Sequence, residues 1–292
     1  MDQYLDKFLA ALASQKGYSE NTIAAYRNDV TQFSKFIRNQ HGLAAGTVEV
    51  PPDVVEAYVD NLQNGPEAYA ASTVARKIAA VKSFFHYLNE QKIITADPVA
   101  RLNSPRVKKG IPKTLSKVEI EKLLAAPERA GGSKGLRDKA LLELLCSTGM
   151  RVTEIVDLRL DDLDWEHHSA ICRGKGERQR KIPLGAATPA LRDYLEKARP
   201  TLVKPSSPAT LFLNHRGQKL TRQGVWLIIK EAADVAGIGD DVTPHTLRHS
   251  FAKYLVGKGE DLRKVQELLG HANLSTTQVY KQIGVSREEI SR

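Results

Sequence analysis

The sequence predicts a mainly α-helical protein of two domains, with a small antiparallel β-sheet in the second domain. Apolar residues recur at intervals of three and four along most of the chain, which is the period of an amphipathic helix. Short β-type segments occur around one glycine-rich turn, between residues 163 and 184. The 292 residues are also about twice the length of one typical domain, so two domains are expected.

Residues 1–106 are predicted to form the first domain as four helices. Weaker apolar patterns fit helices at 2–14 and 52–63. Ser19 is suited to cap a further helix, because a serine hydroxyl accepts a hydrogen bond from an amide of the first turn. The apolar stripe of that helix consists of Ile23, Tyr26, Val30, Phe33 and Ile37. The fourth helix begins near Ser72. Its stripe consists of Val74, Ile78, Val81, Phe85 and Leu88.

Residues 107–113 are predicted to be a linker between the domains. Gly110 and Pro112 disfavour a regular helix or strand there, and three lysines make the segment basic. Two interpretations of this charge remain open at the level of sequence: the segment lies along a phosphate backbone, or it is a solvated hinge.

Residues 114–292 are predicted to form the second domain. Two short strands, near 170–172 and 180–184, flank the glycine-rich turn at 173–177 and indicate an antiparallel hairpin. Helices precede and follow this hairpin. They are predicted at 116–126, 137–147, 188–198, 221–236, 245–256 and 261–269.

The net charge of +9 favours a polyanionic partner, and nucleic acid is the first candidate. Residues 1–106 contain 11 basic and 11 acidic residues, so the excess lies in the linker and in residues 114–292. No apolar run approaches the roughly 18 residues that a membrane helix requires. The N-terminus lacks a signal-peptide pattern, and two cysteines cannot form a disulfide framework. We therefore expect a cytoplasmic protein with no membrane partner.

The residues most suited to chemistry on a phosphate are two arginines, one lysine, two histidines and one tyrosine of the second domain. They are Arg151, Lys175, His245, Arg248, His271 and Tyr280. His245 and Arg248 share one face of a helix that Pro244 is suited to begin. Each of these residues alone is more often structural than functional, so the prediction depends on the ordered set.

The candidate residues lie within recognisable motifs. The motifs are STGMRVTE at 147–154, GKGER at 174–178, TPHTLRHS at 243–250, LLGH at 268–271 and TTQVY at 276–280. In the first domain, SENT at 19–22 and YRND at 26–29 complete the set. Together they resemble the tyrosine recombinase (phage integrase) family, in particular its Xer-type members. The resemblance implies a core-binding, SAM-like domain of four helices over 1–106 and an α-helical catalytic domain over 114–292.

The resemblance also implies DNA strand exchange through a covalent 3′-phosphotyrosyl intermediate, with Tyr280 as the nucleophile. A free tyrosine has a pKa of about 10, so it must be activated by nearby cations or a base. Arg151 and Arg248 would bind the non-bridging phosphate oxygens, where negative charge develops in the transition state.

Three further residues would complete the implied reaction. Lys175 would protonate the leaving 5′-oxygen, His245 would assist as general acid or base, and His271 would hydrogen-bond the phosphate. These cations would stabilise the charge that metal ions stabilise in many phosphoryl-transfer enzymes, so neither a metal site nor a cofactor is expected. Glu154 is open to two interpretations: it orients a catalytic side chain, or it is a surface carboxylate of its helix.

The implied partner is double-stranded DNA with a short inverted-repeat core site, bound by a homo- or heterotetramer. The residues predicted to contact DNA lie at helix starts or on faces away from the core. They are Asn21, Thr22, Arg76, Lys77 and Arg222. The alternative for each of them is an ordinary surface residue.

The resemblance favours an Xer-type recombinase that resolves chromosome or plasmid dimers. Three alternatives remain: an integrase or excisionase of a mobile element, a type IB topoisomerase-like enzyme that relaxes DNA, and a noncatalytic DNA-binding protein on the same scaffold. The sequence leaves open the target site, the use of one or two recombinases, and the participation of an FtsK-like translocase.

Overall fold

The structure is a computed structural model that describes residues 1–42, 47–102, 112–174 and 179–270. The chain forms two compact units, Met1–Lys109 and Gly110–Arg292. Most of the predicted linker lies outside the described residues, so the limits 1–106, 107–113 and 114–292 stay predictions.

The described part of the first unit is built from four helices. They are α1 (Asp2–Lys16), α2 (Glu20–His41), α3 (Pro52–Asn64) and α4 (Ala71–Glu90). Ser19 caps α2, as the sequence predicts, because its hydroxyl accepts a hydrogen bond from the Thr22 amide at 3.3 Å. The four predicted helices are therefore present, with bounds that differ by a few residues at most.

Aromatic side chains hold α2, α3 and α4 together. The ring of Phe33 in α2 lies 5.0 Å from that of Tyr58 in α3 and 5.7 Å from that of Phe85 in α4, edge to face in both pairs. All three side chains are buried. The predicted apolar stripe of α4, from Val74 to Leu88, is buried along its full length because it faces this core.

The second unit contains a small sheet between two groups of helices along the chain. The helices are α5 (Lys117–Ala125), α6 (Gly132–Thr148), α7 (Val152–Asp157), α8 (Ala187–Asp193), α9 (Arg199–Leu202), α10 (Arg222–Ala236), α11 (Pro244–Gly257) and α12 (Leu262–Leu269). A turn of π-helix, Tyr194–Ala198, joins α8 to α9. Within the described ranges, no helix is both long and apolar enough to cross a bilayer.

The sheet has three strands in the described residues, paired antiparallel in the order β1-β2-β3. They are β1 (Leu163–Asp164), β2 (Ser169–Arg173) and β3 (Gln179–Pro183). Cys172 lies opposite Arg180 in the β2–β3 register. The predicted small antiparallel sheet in a helical domain is confirmed.

Helix α6 begins at Gly132, earlier than the predicted residue 137. The pair Gly131-Gly132 resembles a break in the sequence, but both glycines adopt positive φ and form the turn that starts the helix. Farther on, a Cβ atom at Gly135 would lie 2.7 Å from the carbonyl oxygen of Pro127. Glycine at this position therefore lets α6 approach the preceding 3₁₀ turn, Ala126–Arg129, more closely than any other residue would allow.

Gly135→Ala is expected to destabilise the second unit, although alanine is normally the better helix former by about 1 kcal/mol. The added methyl group would overlap the Pro127 carbonyl, and we expect a loss of about 1–3 kcal/mol in the free energy of unfolding. Urea unfolding followed by tryptophan fluorescence reports on this unit, because both tryptophans, Trp165 and Trp226, belong to it.

Gly224→Ala is the matched control for this experiment. The atom nearest to a Cβ there is a methyl carbon of Leu220 at 3.1 Å, which can move, so stability should change little. If Gly135→Ala were as stable as the parent protein, the close approach of α6 to the 3₁₀ turn would be contradicted.

Candidate active site

Arg151 is placed by a sharp turn between α6 and α7. Helix α6 ends at Gly149, which adopts the left-handed conformation with φ of 59° and donates its amide to the carbonyl of Leu145 at 3.1 Å. A Cβ atom at Gly149 would lie 2.5 Å from a ring carbon of Phe251 in α11. Both the positive φ and this contact require glycine, and the chain then enters α7 with Arg151 as the capping residue.

Glu154 lies one turn into α7 and holds Arg151 at two points. One carboxylate oxygen accepts from the Arg151 backbone amide at 2.7 Å, and the other accepts from the Arg151 guanidinium at 3.1 Å. Glu154 is only 6% exposed. The interpretation of Glu154 as a surface carboxylate is therefore wrong. The structure shows instead that Glu154 positions Arg151, a candidate catalytic residue.

A third arginine, Arg180 of β3, binds the same carboxylate. Its two terminal nitrogens donate to the two oxygens of Glu154 at 2.6 Å and 2.8 Å. Burial alone would raise the pKa of Glu154, but the hydrogen bonds from Arg180 and from the Arg151 amide outweigh it and hold that pKa below its usual range. Glu154 therefore remains a carboxylate that balances two neighbouring cations.

Arg248 reaches the same region from α11. Thr243 caps this helix by accepting from the Thr246 amide at 3.2 Å, and Pro244 occupies its first position. The buried guanidinium of Arg248 donates to the carbonyl of Gly149 at 2.5 Å and to the carbonyl of Leu269. Arg248 thus joins the turn before Arg151 to the end of α12.

The three arginines converge on the last carbonyl groups of α12. Besides the bond from Arg248 to Leu269, Arg180 donates to the carbonyl of Leu268 at 2.9 Å and Arg151 to that of Gly270 at 2.5 Å. Carbonyls at a helix C-terminus have no partner within the helix and carry partial negative charge, so they are favourable acceptors for cations. We call Arg151, Arg180, Arg248 and Glu154 the arginine cluster.

The arginine cluster has the chemical properties of an anion site. A guanidinium has five N–H donors, so an arginine that binds protein oxygens can also donate two parallel hydrogen bonds to a phosphate. The Arg151 side chain is 40% exposed and is accessible to such a ligand. The arrangement can therefore stabilise negative charge on non-bridging phosphate oxygens at Arg151, which is the role expected of this residue, whereas the side chain of Arg248 is buried and its contact with a phosphate stays a prediction.

His245 lies in the first turn of α11, on the exposed side of the helix. Its ring is 6.4 Å from that of His249, one turn farther along. Burial, followed by electrostatic interaction with His245 and Arg248, holds the pKa of His249 below its usual range. The other three candidate catalytic residues, Lys175, His271 and Tyr280, lie outside the described residues, so their placement stays a prediction.

The predicted DNA-contacting residues differ in their surroundings. Asn21 is exposed in the first turn of α2, and the neighbouring Thr22 belongs to the Ser19 cap. Arg222 is exposed at the first residue of α10. Arg76 is half-exposed on α4, and its guanidinium forms an ion pair with the buried carboxylate of Asp29. Four of the five candidates are thus at least partly accessible.

Lys77 is the exception, and its prediction as a surface contact was wrong. The side chain is 4% exposed, its ammonium bonds to Asp29 at 3.2 Å and to Gln32, and it lies 5.0 Å from the ring centre of Tyr69. The residue is on the side of α4 that faces α2, where burial of Asp29 requires a cation. Lys77 therefore links two helices of the first unit.

Sequence reasoning missed two residues of these networks, Arg180 and Asp29. From the sequence, Arg180 is only part of a predicted strand, where a charged residue ordinarily faces solvent. Asp29 belongs to the YRND motif, but the motif by itself indicates no role for it. A weak signal existed for Arg180, since it shares one face of β3 with the buried Ile182, while Gln179 and Lys181 on the other face are exposed. Among the described residues, no group of three metal-ligating side chains was found.

Glu154→Gln is expected to lower the free energy of unfolding by about 3 kcal/mol at pH 7, because it leaves two arginines without their buried counter-charge.

The pKa of Glu154 is lower in the folded protein than in the unfolded chain. Its stabilising effect is therefore complete above pH of about 4.3 and is lost as the pH falls through the folded pKa. The difference between parent and variant, measured by urea unfolding with tryptophan fluorescence, should shrink below pH 4. A difference that did not change with pH would contradict an ionised Glu154.

The sequence matches two family descriptions over most of its length. Residues 113–287 match the phage integrase family, and residues 5–92 match the N-terminal SAM-like domain of phage integrases. The chain is 46% identical over 288 residues to the tyrosine recombinase XerC of Herpetosiphon aurantiacus, which covers 98% of this chain and 92% of that relative. It is 44% identical over 285 residues to the tyrosine recombinase XerD of Listeria monocytogenes, with 97% and 95% covered.

A solved structure supports the same fold at lower sequence identity. The XerH site-specific recombinase, bound to a palindromic difH substrate in a post-cleavage complex, superposes with a TM-score of 0.77. The two sequences are 22% identical, and the match covers 97% of this chain and 81% of that one. On the matched domains and on its Xer-named relatives, the chain belongs to the phage integrase family of tyrosine recombinases.

Proposed function

We propose that this chain is an Xer-type site-specific DNA recombinase that cuts and rejoins strands through a 3′-phosphotyrosyl intermediate. The observation that carries the proposal is the convergence of Arg151 and Arg248, from different helices, on Leu269 and Gly270. These residues directly precede His271 in the sequence. A phosphate next to this end of α12 would meet two arginines that are already oriented by protein carbonyls.

In the proposed reaction, the Tyr280 hydroxyl gives its proton to His245 as general base, its oxygen attacks the scissile phosphorus, and the bond to the 5′-oxygen breaks. Lys175 supplies the proton that turns the leaving oxygen into a 5′-hydroxyl, and His245 assists proton transfer. Arg151, Arg248 and His271 bind the non-bridging oxygens as their charge increases. A 5′-hydroxyl from another strand then attacks the phosphotyrosine and regenerates Tyr280, so the energy of the broken phosphodiester is conserved.

The proposed partner is double-stranded DNA with a short inverted-repeat core site. Exchange between two duplexes cuts four strands, and each cut uses one tyrosine, so a tetramer of this chain or of paired recombinases would supply the four nucleophiles. The XerH complex with palindromic DNA supports a symmetric site. We propose Asn21, Thr22, Arg76 and Arg222 as DNA contacts, because these side chains are at least partly accessible. Resolution of chromosome or plasmid dimers is the proposed biological role.

The Tyr280→Phe variant should bind DNA but form no covalent adduct, because phenylalanine has no nucleophilic oxygen. The substrate is a duplex that the full chain selects from a random library and that is then nicked beside the cleavage position. This nicked duplex traps the adduct, which is detected on a denaturing gel. Tyr254→Phe is the control, since Tyr254 is an exposed tyrosine of α11, and it should form adduct at the parent rate. An adduct in Tyr280→Phe would refute the assigned nucleophile. Relaxation of supercoiled DNA without strand exchange between two sites would favour the topoisomerase-like alternative.

Arg151→Ala and Arg248→Ala should each lower the cleavage rate by about 100-fold or more, because each removes donors to the transition-state phosphate. Binding of the selected duplex, measured by gel shift at one salt concentration, should remain within about tenfold of the parent, since many other phosphate contacts persist. Arg129→Ala is the control for loss of one exposed positive charge and should cleave normally. Parent-like cleavage by either active-site variant would exclude its role in phosphate binding.

A further inference from the structure

We infer that Arg180 is a positioning residue of the proposed reaction, which sets the guanidinium of Arg151 by holding Glu154 and the end of α12. The inference rests on the proposed function. Arg180 itself is assigned no contact with DNA.

Among the described residues, the side chain of Arg180 bonds to Glu154 and to the end of α12. Its terminal nitrogens form a bidentate pair with Glu154 at 2.6 Å and 2.8 Å, and its Nε donates to the Leu268 carbonyl at 2.9 Å. The side chain is 17% exposed. This geometry requires the planar fork of a guanidinium, because a lysine ammonium cannot span both carboxylate oxygens and a carbonyl with the same orientation.

Glu154 transmits the position of Arg180 to Arg151. The oxygen that accepts from Arg180 at 2.6 Å also accepts from the Arg151 guanidinium at 3.1 Å. The other oxygen, which accepts from Arg180 at 2.8 Å, also accepts from the Arg151 amide at 2.7 Å. Each carboxylate oxygen is therefore shared between the two arginines. Without Arg180, the carboxylate would be free to rotate and would no longer fix Arg151.

Arg180 also packs against the end of α12 that Arg151 binds. A Cβ atom at Gly270 would lie 2.9 Å from an Arg180 nitrogen and 3.3 Å from an Arg151 nitrogen, so both guanidinium groups lie directly against this glycine. Since Arg151 donates to the Gly270 carbonyl, displacement of this turn would move the acceptor of Arg151. Arg180 thus holds in place two of the groups that bind Arg151, the carboxylate of Glu154 and the carbonyl of Gly270.

Neighbouring cations of the sheet have separate partners, which provides a control. Lys181, the next residue of β3, pairs with Asp164 at 2.9 Å on the exposed side of the sheet. Arg173 of β2 pairs with Asp162 at 2.5 Å. The contacts found for these two carboxylates do not include Arg151. Loss of charge at Lys181 therefore tests for a general effect of positive charge on β3.

The groups around Glu154 define its expected pH dependence. Arg151 and Arg180 face its carboxylate, and Cys172 of β2 lies within electrostatic range. Burial raises the pKa of Cys172 to about 12, with smaller effects from Arg180, Asp162 and Arg248 among others, so its thiol stays neutral. Removal of Arg180 would take away two hydrogen bonds to the charged form of Glu154 and would raise the pKa of Glu154.

The test uses the full chain in single-turnover cleavage of the selected nicked duplex between pH 5 and pH 8. Arg180→Gln should cleave about 10- to 100-fold more slowly than the parent at pH 8, while its affinity for the intact duplex stays within about threefold. On acidification its rate should begin to fall at a higher pH than that of the parent, because loss of Arg180 raises the pKa of Glu154. Arg180→Lys should recover only part of the rate, and Lys181→Gln should match the parent at every pH.

A double variant distinguishes positioning from a general loss of structure. The double variant Arg180→Gln, Glu154→Gln should cleave no more slowly than the slower of the two single variants, because both substitutions remove the same support of Arg151. Its cleavage rate should also lack the additional decrease at acidic pH that is expected of Arg180→Gln. All variants are assayed at a temperature where tryptophan fluorescence shows the second unit folded. Additive losses, equal losses of binding and cleavage, or a parent-like pH profile in Arg180→Gln would overturn the inference. Failure of the parent to form any adduct would instead refute the proposed function.

Discussion

The end of helix α12 needs partners for its last carbonyl groups, and three arginines supply them. Arg151, Arg180 and Arg248 arrive from the start of α7, from β3 and from α11, and each donates to one of three consecutive carbonyls. A helix C-terminus carries partial negative charge, so the attraction favours cations at this point. One carboxylate, Glu154, compensates the positive charge. Four distant segments are held together by this single arrangement.

The same arrangement explains why two glycines flank the arginine cluster. Gly149 ends α6 and Gly270 ends α12, both with positive φ. At Gly149 a side chain would collide with Phe251, and at Gly270 it would collide with the guanidinium of Arg180. The absence of side chains lets the turn before Arg151 and the end of α12 come close enough for arginines to bridge them. Arginines held in this way need little reorganisation when a phosphate arrives, which is the property expected of a site that stabilises developing charge.

The first unit uses buried charge for a different purpose. Asp29 is 1% exposed and pairs with both Arg76 and Lys77 of α4. Removing one partner of such a buried set would leave a charge without compensation, which typically costs about 3–5 kcal/mol. The network therefore favours one register of α2 against α4. It also fixes Arg76 at the surface, where a positive side chain with a defined position is available for a phosphate. Residues 1–106 are neutral overall by composition, so in the proposed function their binding of DNA depends on such local groups.

The sequence by itself determined the helices, the small sheet and the family. These features depend on apolar spacing within a segment and on the order of short motifs, and the buried stripe of α4 and the Ser19 cap agree with that local information. Only the tertiary structure decided the partners of the charged residues. Glu154 meets Arg180 across 26 positions of the chain, and Arg248 meets Gly149 across 99. The amino-acid pattern around Lys77 is equally compatible with a surface lysine. The reason is physical: periodicity specifies which side of an element is apolar, but a charged side chain is stabilised in the interior only by a partner that the folding of distant segments brings to it.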